Sequence, residues 1–86
     1  MQTFDVPAAV LRDEGIVCQV DVINRELALL TKGTRVVFDV PPGCPIVLRG
    51  ERVRLRLVQP RDRARLTYAI RRGRPTARSI HVPAAD

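Results

Sequence analysis

Arg52, Arg54 and Arg56 alternate with Val53, Leu55 and Leu57. In extended backbone, successive side chains point to opposite faces, so this spacing projects three guanidinium groups one way and three aliphatic groups the other. Arg63 and Arg65 repeat the pattern in the next segment, and Arg71, Arg72 and Arg74 surround Gly73. A guanidinium holds its charge at every physiological pH and presents a planar fork of donors that matches phosphate or carboxylate. The chemistry of such an array is anion binding, with no part in proton transfer. Arg52, Arg54, Arg56, Arg63, Arg65, Arg71, Arg72 and Arg74 are therefore the candidate contacts to nucleic acid or another polyanion. If the two alternating segments are neighbouring strands, their rows fall about 5 Å apart and form one basic face.

The charge is also unevenly distributed. Fifteen basic residues against nine acidic give a formal charge of +6. Lys32 is the only lysine, and a GC-rich genome writes Arg over Lys whatever its proteins do. Such a bias spreads arginines; it does not cluster them. Residues 1–43 hold four cations and six anions, a net of −2, whereas residues 44–86 hold eleven cations and three anions, a net of +8. If about six of these arginines neutralised phosphates of a single strand, affinity would fall roughly 300-fold between 50 and 200 mM salt. Against nucleic acid stands an aromatic content of 3%, because sequence-tolerant single-strand binders stack bases on aromatic rings. Phe38 and Tyr68 phase inward, which leaves Phe4 as the free ring. The competing reading is a solvated arginine face that pairs with carboxylates of this chain or of a protein partner. A structural or protein-interaction module is thus the first expectation, with weak polyanion binding as the alternative.

Catalytic and metal chemistry have little to stand on. The one histidine, His81, lies two residues from Ser79, so a strand would put both on one face; Cys44 is the other candidate nucleophile. No third orienting group, nucleophile elbow or phosphate-binding glycine loop accompanies them, and the nine carboxylates are scattered through turns. No enzyme is expected. Cys18, Cys44 and His81 have neither zinc-like spacing nor a fourth ligand, so no metal and no other cofactor is expected. Cys18 falls in an apolar alternation and reads as a buried free thiol, with a Cys18–Cys44 disulfide as the alternative.

The elements that position these residues read as strands. Ile16, Cys18, Val20 and Val22 share one face of a first run, and Asn24-Arg25-Glu26 interrupts it. Leu27–Thr31 resumes before Lys32-Gly33, a tight-turn pair, and Val36, Phe38 and Val40 are in phase in the run that Pro41-Pro42-Gly43 stops. Ile46–Leu48 precedes a turn at Arg49-Gly50-Glu51, and Arg52–Leu57 follows as a strand. Gln59–Asp62 breaks the chain before Ala64, Leu66, Tyr68 and Ile70 point inward, and Arg71–Arg74 forms a hairpin tip. In the last strand Ile80 and Val82 anchor the core, with Ala77 out of phase across a bulge. Five or six short strands with turns about every ten residues imply an all-β, five- to six-stranded antiparallel barrel with little or no helix, OB-like or SH3-like. The barrel is expected over residues 15–82, with residues 1–14 an arm or first strand and residues 83–86 a tail.

The order G-I-V-C-Q-V-D-V, F-D-V-P-P-G-C-P-I-V-L, G-E with alternating aliphatics, Q-P-R-D and A-R-S-I-H-V resembles a widespread bacterial class of small β-barrel domains found in exported and multidomain proteins. The resemblance covers Gly15 to Val82 and implies the barrel, with no activity to transfer. Gly73-Arg74-Pro75-Thr76-Ala77 is similar to the last strand of cold-shock domains, whose base-stacking aromatic motifs this chain lacks. The first ten residues, MQTFDVPAAV, contain no signal-peptide pattern, so the cytoplasm is the expected compartment, with an exported longer parent chain as the alternative. No membrane attachment is expected. Val17, Val37 and Val47 fall on the outward face, where they would support self-association.

Overall fold

Two bulges and one crossover decide how this chain closes. The computed structural model describes residues 10–84, so Phe4, most of the expected arm and the last two residues of the tail lie outside the described residues. The described residues form seven strands: β1 (Leu11–Asp21), β2 (Glu26–Thr31), β3 (Thr34–Asp39), β4 (Ile46–Leu48), β5 (Glu51–Arg52), β6 (Arg63–Arg71) and β7 (Arg74–Val82). A 3-10 turn over Leu55–Leu57 is the one helical element among the described residues. β1, β2 and β3 form an antiparallel meander, β6 pairs with β1 and β7, and a parallel bridge from Asp39 to Thr76 joins β3 to β7. The ring β1-β2-β3-β7-β6 is a closed five-stranded barrel of the OB-like kind. β4 and β5 extend from the remaining edge of β7.

The first bulge lies in β1. Val17 pairs with Leu29 and Gln19 with Ala28, which leaves Cys18 as the extra residue. An unpaired residue reverses the side-chain alternation beyond it. Val17 therefore enters the core at 1% exposure, and Cys18, expected to be buried, is exposed. Val17 leaves the supposed outward apolar set in the same step, and Val22, beyond the end of β1, is 45% exposed. The second bulge is the expected one in β7: Thr67 pairs with Ser79 and Tyr68 with Ala77, so Arg78 is extra, and Ala77, Ile80 and Val82 all point inward. Past this bulge Ala69 is buried and Ile70 is 52% exposed, against the expectation for Ile70.

The regular Arg52–Leu57 segment is not a strand. β4 and β5 lie on one side of β7 and β6 on the other, so the chain must cross an end of the barrel between β5 and β6. Straight continuation of β5 would lead away from it. After Arg52 the backbone instead turns, with Leu57 N–H donating to Arg54 O and Val58 N–H to Leu55 O, both at 3.0 Å. At three residues per turn Leu55 and Val58 align, and both are buried, whereas Leu57 is 47% exposed. The core these residues complete includes Leu27, Leu29, Phe38, Val40, Ile46, Leu66 and Ile80. Phe38 meets Tyr68 edge to face with ring centroids 4.9 Å apart.

A candidate anion-binding groove

Three loops meet where the barrel closes. At the β1–β2 turn, Asp21 accepts hydrogen bonds from the Asn24 backbone N–H (3.0 Å) and from its Nδ2 (2.9 Å). These bonds, the backbone one first, hold the Asp21 carboxyl below the usual carboxylate range. Arg25 follows in left-handed backbone, φ 55°. Its Nε donates to Val40 O at 2.9 Å and its Nη2 to Pro41 O at 3.3 Å, while Val40 N–H donates to Arg25 O at 2.8 Å. This reciprocal set clamps the turn to the start of the Pro41-Pro42 loop. At the β6–β7 tip, Arg72 (φ 54°) and Gly73 (φ 76°) form the paired left-handed turn that matches strand twist.

Arg74 locks the same corner. Its Nε and Nη2 bind the two oxygens of Asp39, both at 2.9 Å, and Nη2 also reaches Glu26 at 3.2 Å. Glu26 and Asp39 are directly opposed across β2 and β3, an arrangement that destabilises a sheet unless a cation intervenes. The Asp39 hydrogen bonds, with the charge of Asp39 next, raise the affinity of Arg74 for its proton. Arg74 thus ties β2, β3 and β7 together beside the single bridge that closes the barrel.

Around this corner lies a cleft of about 800 Å³ bounded by Arg25, Pro41, Pro42, Arg71, Arg72 and Arg74. A second cleft of about 320 Å³, bounded by Cys44, Arg52 and Arg54, meets the first at Arg25 and Pro42, which line both. The result is one groove along the Pro41-Pro42 loop. It brings together Arg52, Arg54, Arg71, Arg72 and Arg74 of the expected set and adds Arg25. Arg56, exposed in the 3-10 turn, lines neither cleft. Arg63 and Arg65 lie at the opposite end of β6, and Arg65 binds Glu14 at 3.1 Å. The single basic face expected from adjacent rows is therefore corrected to two separate basic regions, because β5 pairs with β4 and β6 with β1 and β7. Arg25 escaped sequence reasoning because Asn24-Arg25-Glu26 reads only as a polar turn.

The outer β1–β3 face, a frequent ligand surface of OB-like barrels, carries Asp21, Glu26 and Gln19 with Arg35, whose Nη2 donates to Gln19 Oε1 at 2.7 Å. Ser79 shares its hydroxyl hydrogen bond with Thr67, and His81 is exposed on the same face. Burial pushes the Cys44 thiol up, with a smaller opposing effect from Arg25, so it stays protonated and weakly nucleophilic. Both cysteines are free. Among the described residues no three His, Cys, Asp or Glu side chains form a cluster able to hold a metal, and no helix is long and apolar enough to cross a membrane.

No family model matches this chain, and no curated protein matches it. Solved structures do. The chain is similar to apo-CusF from Escherichia coli, with 13% identity, a TM-score of 0.71, and coverage of 98% of this chain and 100% of that one. It is also similar to CusF-Ag(I) from Escherichia coli, with 10% identity, a TM-score of 0.74, and coverage of 94% and 100%. Likeness at this identity concerns the fold, and it establishes the small OB-like barrel. The finer resemblance to cold-shock domains gains no support from these neighbours.

Proposed function

We propose that this barrel is a non-catalytic protein-interaction module that docks an acidic segment of a partner along the groove at Pro41-Pro42. The observation that carries the proposal is that two adjoining clefts share Arg25 and Pro42, with Arg71 and Arg72 lining one and Arg52 and Arg54 the other. None of these five forms an ion pair with a carboxylate among the described residues. Arg74 is already engaged by Asp39 and Glu26 and serves as the frame of the site.

A peptide suits this surface better than a nucleic acid. Pro41 and Pro42 stand among the guanidinium groups along it, whereas Phe38 is fully buried and the Tyr68 hydroxyl donates to Asp13 at 3.0 Å. Bases would find no exposed ring to stack on among the described residues. One neighbour's name carries silver, and soft ions of that kind select thiolate, thioether and imidazole ligands. This chain has one methionine, Met1, and places Cys18 on the β1 bulge, Cys44 in the β3–β4 loop and His81 on the outward face of β7. That donor set does not favour a metal role.

The test is fluorescence anisotropy with a labelled 15-residue peptide rich in Asp and Glu, run beside a labelled 15-nucleotide thymidine strand at 50 and 200 mM salt. The peptide should bind at 50 mM salt, weaken at 200 mM, and lose at least about tenfold in affinity with Arg71→Glu/Arg72→Glu. Absence of peptide binding at 50 mM salt, or tighter binding of the thymidine strand, would overturn the proposal.

A further inference from the structure

We infer that the barrel carries a second, independent anion site at its other pole, formed by Arg49, Arg61 and Arg63 and suited to a phosphate group. These three residues line a cleft of about 520 Å³ together with Arg65, Asp62 and the chain just beyond β7. Arg63 opens β6 and Arg71 ends it, so the cleft lies roughly 25 Å from the groove at Pro41-Pro42 at about 3.3 Å per residue. The two sites share no residue.

The backbone fixes the positions from which these cations project. Arg49 N–H donates to Val82 O at 2.9 Å, and Arg61 N–H donates to Val17 O at 2.8 Å. Val17 N–H returns a bond of 2.8 Å to Asp62 O, and Val17 itself is 1% exposed. Two separate turns are thus tied to core strands so that their side chains converge on one cleft. Both arginines occupy left-handed backbone, with φ 52° at Arg49 and 79° at Arg61, where glycine or asparagine is accommodated with less strain. Arg49 with Gly50 (φ 86°) makes the paired left-handed turn between Leu48 and Glu51, which holds the residue at the rim of the cleft.

Charge identifies the ligand class. Arg65 is neutralised by Glu14 at 3.1 Å, and Asp62 Oδ2 accepts from Gln59 N–H at 2.9 Å. Among the described residues lining the cleft, Arg49, Arg61 and Arg63 against the carboxylate of Asp62 leave a surplus of two positive charges. That surplus matches a phosphomonoester or inorganic phosphate, which carries about −1.5 to −2 near neutral pH. A carboxylate would leave half of it uncompensated. Guanidinium groups also bind phosphate oxygens in pairs, which favours this anion over halides of the same ionic strength.

The experiment is an amide chemical-shift titration of the whole chain with sodium phosphate and, at matched ionic strength, sodium chloride. Phosphate should produce saturable shifts at Arg49, Arg61 and Arg63, and chloride should not. Arg63→Gln should weaken phosphate at least about fivefold. Arg61→Gly, which suits its φ and keeps the fold, should do the same, while Arg71→Glu/Arg72→Glu should leave phosphate binding intact. Methyl phosphate separates the sources: equal or tighter binding assigns the site to an esterified phosphate, and weaker binding assigns it to the free ion, either result supporting the site. Chloride shifts equal to those of phosphate, or phosphate binding that survives both Arg61→Gly and Arg63→Gln, would overturn it. Failure of the acidic-peptide experiment with this one intact would sink the groove alone.

Discussion

Gly15 is where the packing of this barrel admits least change. A Cβ built there would lie 2.1 Å from Leu30 O, 2.9 Å from Leu30 C and 3.2 Å from Leu29 Cγ. The first contact is with backbone, so no side-chain rotation relieves it. Gly15→Ala requires β2 to retreat by about 1 Å where Ile16 pairs with Leu30, and hydrogen bonds near 2.9 Å do not survive that stretch. Loss of one or two ladder bonds costs about 1–2 kcal/mol each when the freed groups stay buried. Leu29, fully buried beside Gly15, would also be displaced from its packing. Alanine returns about 0.4–1 kcal/mol by restricting the unfolded chain. The net destabilisation is about 2–4 kcal/mol, which in a domain of this size lowers Tm by roughly 10–25 °C. Thermal unfolding followed by circular dichroism measures it, with Gly43→Ala as the control because nothing lies within 4 Å of a Cβ at Gly43. A Gly15→Ala variant melting within about 3 °C of the parent, on that scale less than 1 kcal/mol, would refute the reasoning.

Four further outcomes follow from the same geometry. Arg74→Met should lower Tm, more at low salt than at high, because it leaves Glu26 opposed to Asp39 at the barrel closure; a salt-independent loss would show that charge is not the cause. Arg72→Asn should stabilise the β6–β7 turn by about 0.5–1 kcal/mol, since asparagine tolerates φ 54° better than arginine. The same variant should weaken acidic-peptide binding in anisotropy, and an unchanged affinity would remove Arg72 from the groove. Iodoacetamide near pH 8 should modify exposed Cys18 well before Cys44, whose thiol burial pushes up; mass spectrometry showing equal rates would contradict the burial of Cys44. The depressed Asp21 carboxyl contributes stability that is complete above the ordinary value near 3.9 and is lost as pH falls through its lower folded value. The Tm difference between the parent and Asp21→Ala should thus be constant above about pH 5 and shrink towards pH 2. Persistence of the full difference at pH 2 would exclude the Asn24 hydrogen bonds as its source.

Much of the barrel was legible because its signals are local. Glycine and proline punctuation marked the turns at Lys32-Gly33, Pro41-Pro42-Gly43 and Arg72-Gly73, a continuous apolar run marked β2, and period-2 alternation marked β3 and the first half of β6. The β7 bulge was also visible, since Ile80 and Val82 could share a face with Ala77 only through an extra residue. The β1 bulge was not. Ile16, Cys18, Val20 and Val22 read as one continuous apolar phase against Gln19 and Asp21, and only the pairing of Val17 with Leu29 and Gln19 with Ala28 shows that the phase changes within the run. The most regular pattern misled most, because Arg52–Leu57 alternates well enough for a strand and still becomes a 3-10 turn where the chain crosses a barrel end.

The same division holds for the candidate sites. The sequence by itself determined which residues carry charge, that the second half of the chain concentrates it at a net of +8, and which few residues, Ser79, His81 and the two cysteines among them, could act as nucleophile or metal donor. Composition and spacing suffice for that, since a guanidinium is a guanidinium in any fold. Which arginines stand together was decided only by tertiary structure. Arg25 joins Arg71 across 45 intervening residues because Val40 and Pro41 carbonyls hold its side chain at the barrel closure. Arg63, eight residues from Arg71, lies at the far pole because an extended strand separates its two ends by its whole length. Closure brings distant residues together and extended backbone holds near ones apart, and neither follows from the order of residues along the chain.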